Sequence, residues 1–123
     1  MGYDEMNAYR EIIKDNIEYD ILSVKLKSEI SMLDEIVDLL TETVCTKKDS
    51  VIIAGDVYPS AVVKSKLLKL NAEHIEYVID CMKSNTTEVR NIKKYLLAAL
   101  FNAPSTMDSY YNARVNHDLY GHE

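Results

Sequence analysis

Three cations stand close together in "VRNIKKYLLAALFNAP", residues 89–104: Arg90, Lys93 and Lys94. Helical spacings of three and four place Lys93 and Lys94 beside Arg90 on one side. Such a side can neutralise phosphates without reading base sequence. Lys64, Lys66 and Lys69 form a second basic run. Together these six residues are the candidate DNA contacts. An ordinary solvated helix face accounts for the same residues with no ligand. Lysine near a helix start opposes the macrodipole, however, and Glu88 offsets it only in part. A second set has the opposite sign. Asp34, Glu35, Asp38 and Glu42 punctuate an apolar stretch at helical spacing. They make one strongly acidic outer face and are the candidate contacts for a protein partner.

Other chemistry lacks its motifs. No glycine-rich loop offers a phosphate cradle. His74, His117 and His122 do not combine with the cysteines at metal-ligand spacing. His74 borders an apolar helix face and reads as a packing residue. No strained serine turn of a hydrolase occurs. The carboxylates are plentiful, but none is singled out as an acid–base pair. No catalytic, cofactor-binding or metal-ligating residue is therefore predicted, and the chain reads as a non-enzyme. Tyr110, Tyr111 and Tyr120 could stack on bases. Packing at the rim of a bundle with the hydroxyl in water is the preferred reading. Cys45 and Cys81 each fall on apolar helical stretches and read as reduced, buried thiols.

These residues must be held by one domain, since 123 residues suffice for a single core and not for two ordinary ones. Two prolines and three glycines leave long spans without breakers, which favours helices. No apolar run is long enough to span a bilayer. The polar N-terminus does not read as a signal peptide, and Met6 stands where a myristoylation signal needs Ser or Thr. A cytoplasmic protein is expected. The net charge of −6 is uneven. Residues 1–45 carry −7, residues 46–103 carry +3 and residues 104–123 carry −2. Oppositely charged regions can serve two partners, or pair between two copies in a homodimer.

The elements follow from periodicity. A helix is predicted over 5–17, with Met6, Tyr9, Ile13, Asn16 and Ile17 on one side and Ile12 at its edge. "EYDIL" reads as a connection, and "SVKLKSEI" has only weak alternation and is left unassigned. A helix over 31–45 buries Leu33, Ile36, Val37, Leu40 and Val44, with Ser31 and Asp34 as a capping box. "VIIAGDVYP" predicts a small β-hairpin at 51–58 turning at Gly55-Asp56. Pro59 opens a helix over 59–70 with Val63, Leu67 and Leu70 inward. Asn71 caps a helix over 72–84 with Ile75, Val78, Ile79 and Met82 inward. A helix over 88–102 stops at Pro104, and Ser105 with Asp108 caps another over 106–118. Residues 119–123 read as a frayed tail. In the helix over 88–102, Tyr95, Leu96, Ala99, Leu100 and Asn102 are the core motif, with Arg90, Lys94, Leu97 and Phe101 on the opposite side. The expected fold is all-α: a compact bundle of five or six helices with a hairpin insertion.

Several blocks carry a resemblance: "YREIIKDNIEYDIL", "LDEIVDLLTETVC", "AGDVYP", "VVKSKLLKLNAEHIEYVIDCM" and "TTEVRNIKKYLLAALFNAPSTMDSYYNARVNHDLYG". They resemble the C-terminal domain of replication initiator protein A, from the RepA_N family of Gram-positive plasmids and integrative elements. The similarity runs from Tyr9 to Gly121. It implies a role in starting DNA replication by engaging host replication proteins, such as an initiator or a helicase loader. It carries over no catalytic residue. The family's N-terminal winged-helix domain has no counterpart in these residues, so the chain is expected to be a separated C-terminal domain.

A more distant resemblance is to DnaD-type primosome domains. Tyr95, Ala99, Leu100 and Asn102 match the spacing of their helix, while Ala103 stands where those domains carry Trp. Tyr9, Ile13 and Asn16 echo the same spacing. This resemblance implies a helical bundle with weak, salt-sensitive DNA binding. The overall negative charge ranks protein engagement first, DNA second and dimerisation third.

Overall fold

Leu33, Ile36, Val37, Leu40 and Val44 recur every three or four residues, and burying that stripe organises the molecule. All five are at most 5% exposed in the computed structural model, which describes residues 3–85 and 91–120, with side chains up to 109. The stripe lies on α3 (Ile30–Val44), against which α1 (Tyr3–Asn16), α4 (Ser60–Leu67), α5 (Ala72–Ser84) and α6 (Ile92–Tyr120) all pack. With α2 (Tyr19–Lys25), the described residues form six helices and one antiparallel hairpin, as expected. Burying each large aliphatic side chain contributes about 1.5–3 kcal/mol.

Residues 20–30, read as a connection and an unassigned stretch, are instead α2 and a 3-10 turn, Lys27–Glu29. Glu18 reverses the chain in a left-handed conformation, φ 54°, between α1 and α2. Leu22, Leu26 and Ile30 then recur every four residues. Leu22 is fully buried, and the other two lean on the core. Exposed Ile21 and Val24 obscure that period in the sequence. The predicted Ser31–Asp34 capping box does not form. The chain enters α3 directly from the 3-10 turn, Glu29 is the cap residue, and no side chain caps the helix.

The hairpin pairs β1 (Ser50–Ile53) with β2 (Asp56–Pro59), Ile53 opposite Asp56. Its turn is Ala54-Gly55, one residue earlier than predicted, because both residues have positive φ, 53° and 86°. Two such residues give the turn whose twist matches the strands. Val51, Ile53 and Tyr58 face the bundle, while the paired Ile52 and Val57 face solvent. Pro59 is the cap residue of α4 rather than its first turn. The Ser60 hydroxyl donates to the Lys48 carbonyl at 2.6 Å, fixing α4 to the chain entering β1. Asn71 caps α5 as predicted, and His74 completes a reciprocal pair. The Asn71 amide donates to His74 Nδ1 at 3.1 Å, and the His74 amide donates to Asn71 Oδ1 at 3.2 Å.

Pro104 does not end a helix. α6 continues through it, so the predicted stop and the Ser105–Asp108 cap are both wrong. Proline in a helix interior costs about 3 kcal/mol. Leu100, Phe101, Ala103 and Met107 are buried on both sides of it, and their packing outweighs that cost. Phe101, on the side opposite the core motif, is buried as well and sits between Tyr58, ring centroids 4.8 Å apart, and the Lys66 ammonium. Within the predicted core motif, Leu96 and Leu100 are buried and Ala99 is half-buried. Tyr95 and Asn102 are exposed, which corrects their assignment to the core. The Tyr95 hydroxyl accepts a hydrogen bond from Asn85 at 3.0 Å, and the Asn102 amide donates to the Ala98 carbonyl. These polar ends stay near water because the bundle covers only one side of α6 at each of them. Cys45 and Cys81 are free thiols as expected, though half-buried rather than buried.

Candidate interaction surface

The outer face of α3 has no lysine or arginine. Asp34, Glu35, Asp38 and Glu42 are all exposed on it. The helix explains their shared direction: positions 35, 38 and 42 lie three and four apart, opposite the buried stripe. Neighbouring elements reach toward three of the four. The Tyr19 hydroxyl donates to Asp34 Oδ1 at 2.5 Å. That bond holds the Tyr19 hydroxyl above its ordinary value of 10.0, with help from burial and the Asp34 charge. The Lys14 ammonium lies over the same ring, 4.7 Å from its centroid. Arg10 of α1 forms an ion pair with Asp38. Lys93 of α6 forms one with Glu42 at 3.3 Å. Glu35 has no ion pair among the described residues.

Between α3 and α6 this face borders a hollow of about 200 Å³. Glu35, Asp38 and Glu42 form the α3 rim, with Lys93 opposite. Leu39 and Leu96 form an apolar floor, and Ile92, 46% exposed, stands at the edge. A second, more open hollow meets the first at Glu42 and reaches the exposed Ile52 of β1. Leu39, buried at the floor, and exposed Ile92 at the edge were both missed as lining of this hollow. Leu39 lies beside the stripe in the sequence, and Ile92 reads as core until the end of α6 is seen to project.

Of the six candidate DNA contacts, Lys64, Lys66 and Lys93 each have a partner within the chain. Arg90 lies outside the described residues. Lys64 reaches over the Tyr9 ring, 4.6 Å from its centroid, and its hydrogen bond to Tyr9 holds the ammonium above its ordinary value. Lys66 lies 4.2 Å from the centroid of Phe101. Lys93 faces the acidic set rather than its neighbour Lys94. Lys69 and Lys94 are exposed and have no ion pair among the described residues. The side chains of Tyr110, Tyr111, His117 and Tyr120 lie outside the described ones, as does residue His122. α6 runs to Tyr120, so only residues 121–123 of the expected tail fall outside the description.

Cys45 carries a thiol pushed above its ordinary range by burial and by Glu5, which disfavours the reactive thiolate. Among the described residues, no three or more His, Cys, Asp or Glu side chains are placed to share a metal ion. No described helix is long and apolar enough to cross a membrane.

The chain belongs to a family of unknown function, DUF6017, whose model matches residues 1–122. No curated protein and no solved structure matches it.

Proposed function

We propose that this member of the family is a non-catalytic, cytoplasmic module of a plasmid or mobile-element DNA replication initiator. In this reading it engages a host replication protein, an initiator or a helicase loader. The observation that carries partner binding is the α3 face, where exposed carboxylates border an open hollow with an apolar floor. Apolar surface with a charged rim is the chemistry of a protein contact. The link to replication rests on the sequence blocks that resemble the initiator's C-terminal domain.

A second reading is a DnaD-like module that binds DNA without sequence preference. Exposed Lys69 and Lys94 favour it. It ranks second because Lys64, Lys66 and Lys93 already have partners within the chain and the net charge is −6. Exposed pairs contribute only about 0–1 kcal/mol each, so phosphate can compete for such lysines.

Two titrations separate the readings. Purified host initiator and helicase loader are each titrated against the chain, and labelled single- and double-stranded oligonucleotides are titrated at low and physiological salt. The first reading expects a replication protein to bind and DNA not to. Salt-sensitive DNA binding abolished by Lys93→Glu with Lys94→Glu would replace it with the second. Binding to neither class would overturn both.

A further inference from the structure

The hollow between α3 and α6 has a shape and a charge that restrict what it can hold. Its α3 rim runs from Glu35 to Glu42, about 10 Å or two helical turns. The three rim carboxylates are spread along that length and do not converge on one point, so they suit several separate cations better than one ion. They repel phosphate. Leu39 and Leu96, 7% and 4% exposed, close the floor without a hydrogen-bonding side chain, and Ile92 supplies the exposed apolar surface at the rim. A simple polycation would gain nothing from that floor. A helix with cations along one edge and an aliphatic side chain beside them would match both features.

We propose that this hollow seats a basic amphipathic helix of a protein partner, about two turns of it. Aliphatic side chains rest on Leu39, Leu96 and Ile92, and lysines or arginines meet Glu35, Asp38 and Glu42. The proposal rests on the partner-binding reading and adds the chemistry of the partner. It also assigns a role to two internal ion pairs. Arg10 on Asp38 and Lys93 on Glu42 hold the carboxylates that an incoming cation needs. They act as competitors, and docking exchanges them for the partner's cations. Glu35, without an ion pair among the described residues, is the rim carboxylate that receives one without exchange. The contact is smaller than a standard protein interface, so binding is weak, fast and salt-sensitive.

The test uses the full chain, isotope-labelled for NMR, and a synthetic lysine–leucine–alanine peptide of about 15 residues, long enough to form a helix. A scrambled peptide of the same composition, unable to segregate its charges, is the control. Shifts confined to the facing parts of α3 and α6, seen with the amphipathic peptide alone, are expected. Glu35→Lys is expected to weaken binding about tenfold, as is typical of losing a close charge pair. Ile92→Ser is expected to weaken it severalfold. Lys93→Ala should tighten binding two- to threefold, and Lys94→Ala should change it less, because of these two lysines only Lys93 is paired with a rim carboxylate. Glu73→Lys, an exposed reversal on α5, should leave it unchanged. Equal binding of the scrambled peptide, shifts elsewhere, or equal losses from Glu35→Lys and Glu73→Lys would overturn the proposal. The two readings fail separately. A replication protein that binds Glu35→Lys as well as wild type sinks the hollow alone. A docked peptide with no replication protein bound sinks the replication reading alone.

Discussion

α3 and α6 are neighbours in the bundle, yet they are built on different plans. α3 divides cleanly into a buried stripe and a charged outer face without a cation. α6 begins with exposed residues, is buried at intervals from Leu96 to Met107, and carries Pro104 in its middle. A helix held by one stripe leaves its opposite face available for contact. α6 also meets several neighbours, α3, α4, α5 and β1, but through scattered buried positions rather than one regular stripe. The hollow lies where the free face of the first meets the projecting start of the second.

The comparison can be broken most directly in the core. Leu40→Ala on α3 and Leu100→Ala on α6 each remove a fully buried side chain and should cost about 2–5 kcal/mol, read by urea denaturation. A loss under about 1 kcal/mol for Leu100→Ala alone would mean that α6 is not the packed helix described. Next in size, Pro104→Ala restores a helical donor. It should stabilise the chain by about 1–3 kcal/mol, and unchanged or lower stability would show that the proline is not seated inside a continuous helix.

Smaller effects test the outer faces. Glu42→Gln breaks the pair with Lys93 and should change stability by less than about 0.5 kcal/mol, because the pair is exposed. A larger loss would make the acidic face structural rather than free for a partner. The smallest effect is pH-dependent. The fold raises the Tyr19 hydroxyl above 10.0 and so favours its protonated form. That contribution is complete below the ordinary value and is lost as pH rises through the raised one. Thermal melts of wild type and Tyr19→Phe should therefore keep a constant gap below 10.0 and converge as pH rises beyond it. A gap that stays constant would remove the Tyr19–Asp34 bond from the account.

The legible parts of the chain share one property: a single local rule was enough. The α3 stripe, the inward faces of α1, α4 and α5, and the Asn71 cap all follow from spacing along one helix. α2 was missed because exposed Ile21 and Val24 blur the Leu22–Leu26–Ile30 period. The hairpin was legible, but its turn was displaced, because alanine is an uncommon occupant of a left-handed position. Of the candidate site, the four carboxylates could be named from the sequence. The hollow beside them could not, because Ile92, Lys93 and Leu96 lie some fifty residues away and reach it only through the packing of α6 on α3.

The sequence alone determined a helical chain with one hairpin, an acidic outer face on the central stripe-bearing helix, and the residues available to form a core. Periodicity and charge are local, and they survive without knowledge of neighbours. Tertiary structure decided the rest. It carried α6 through Pro104 because burial on both sides outweighs one lost hydrogen bond. It set Lys93 against Glu42 rather than beside Lys94, and so placed a residue read as a DNA contact on the rim of an acidic hollow. Contacts between distant segments depend on how whole faces pack, and no local spacing encodes that.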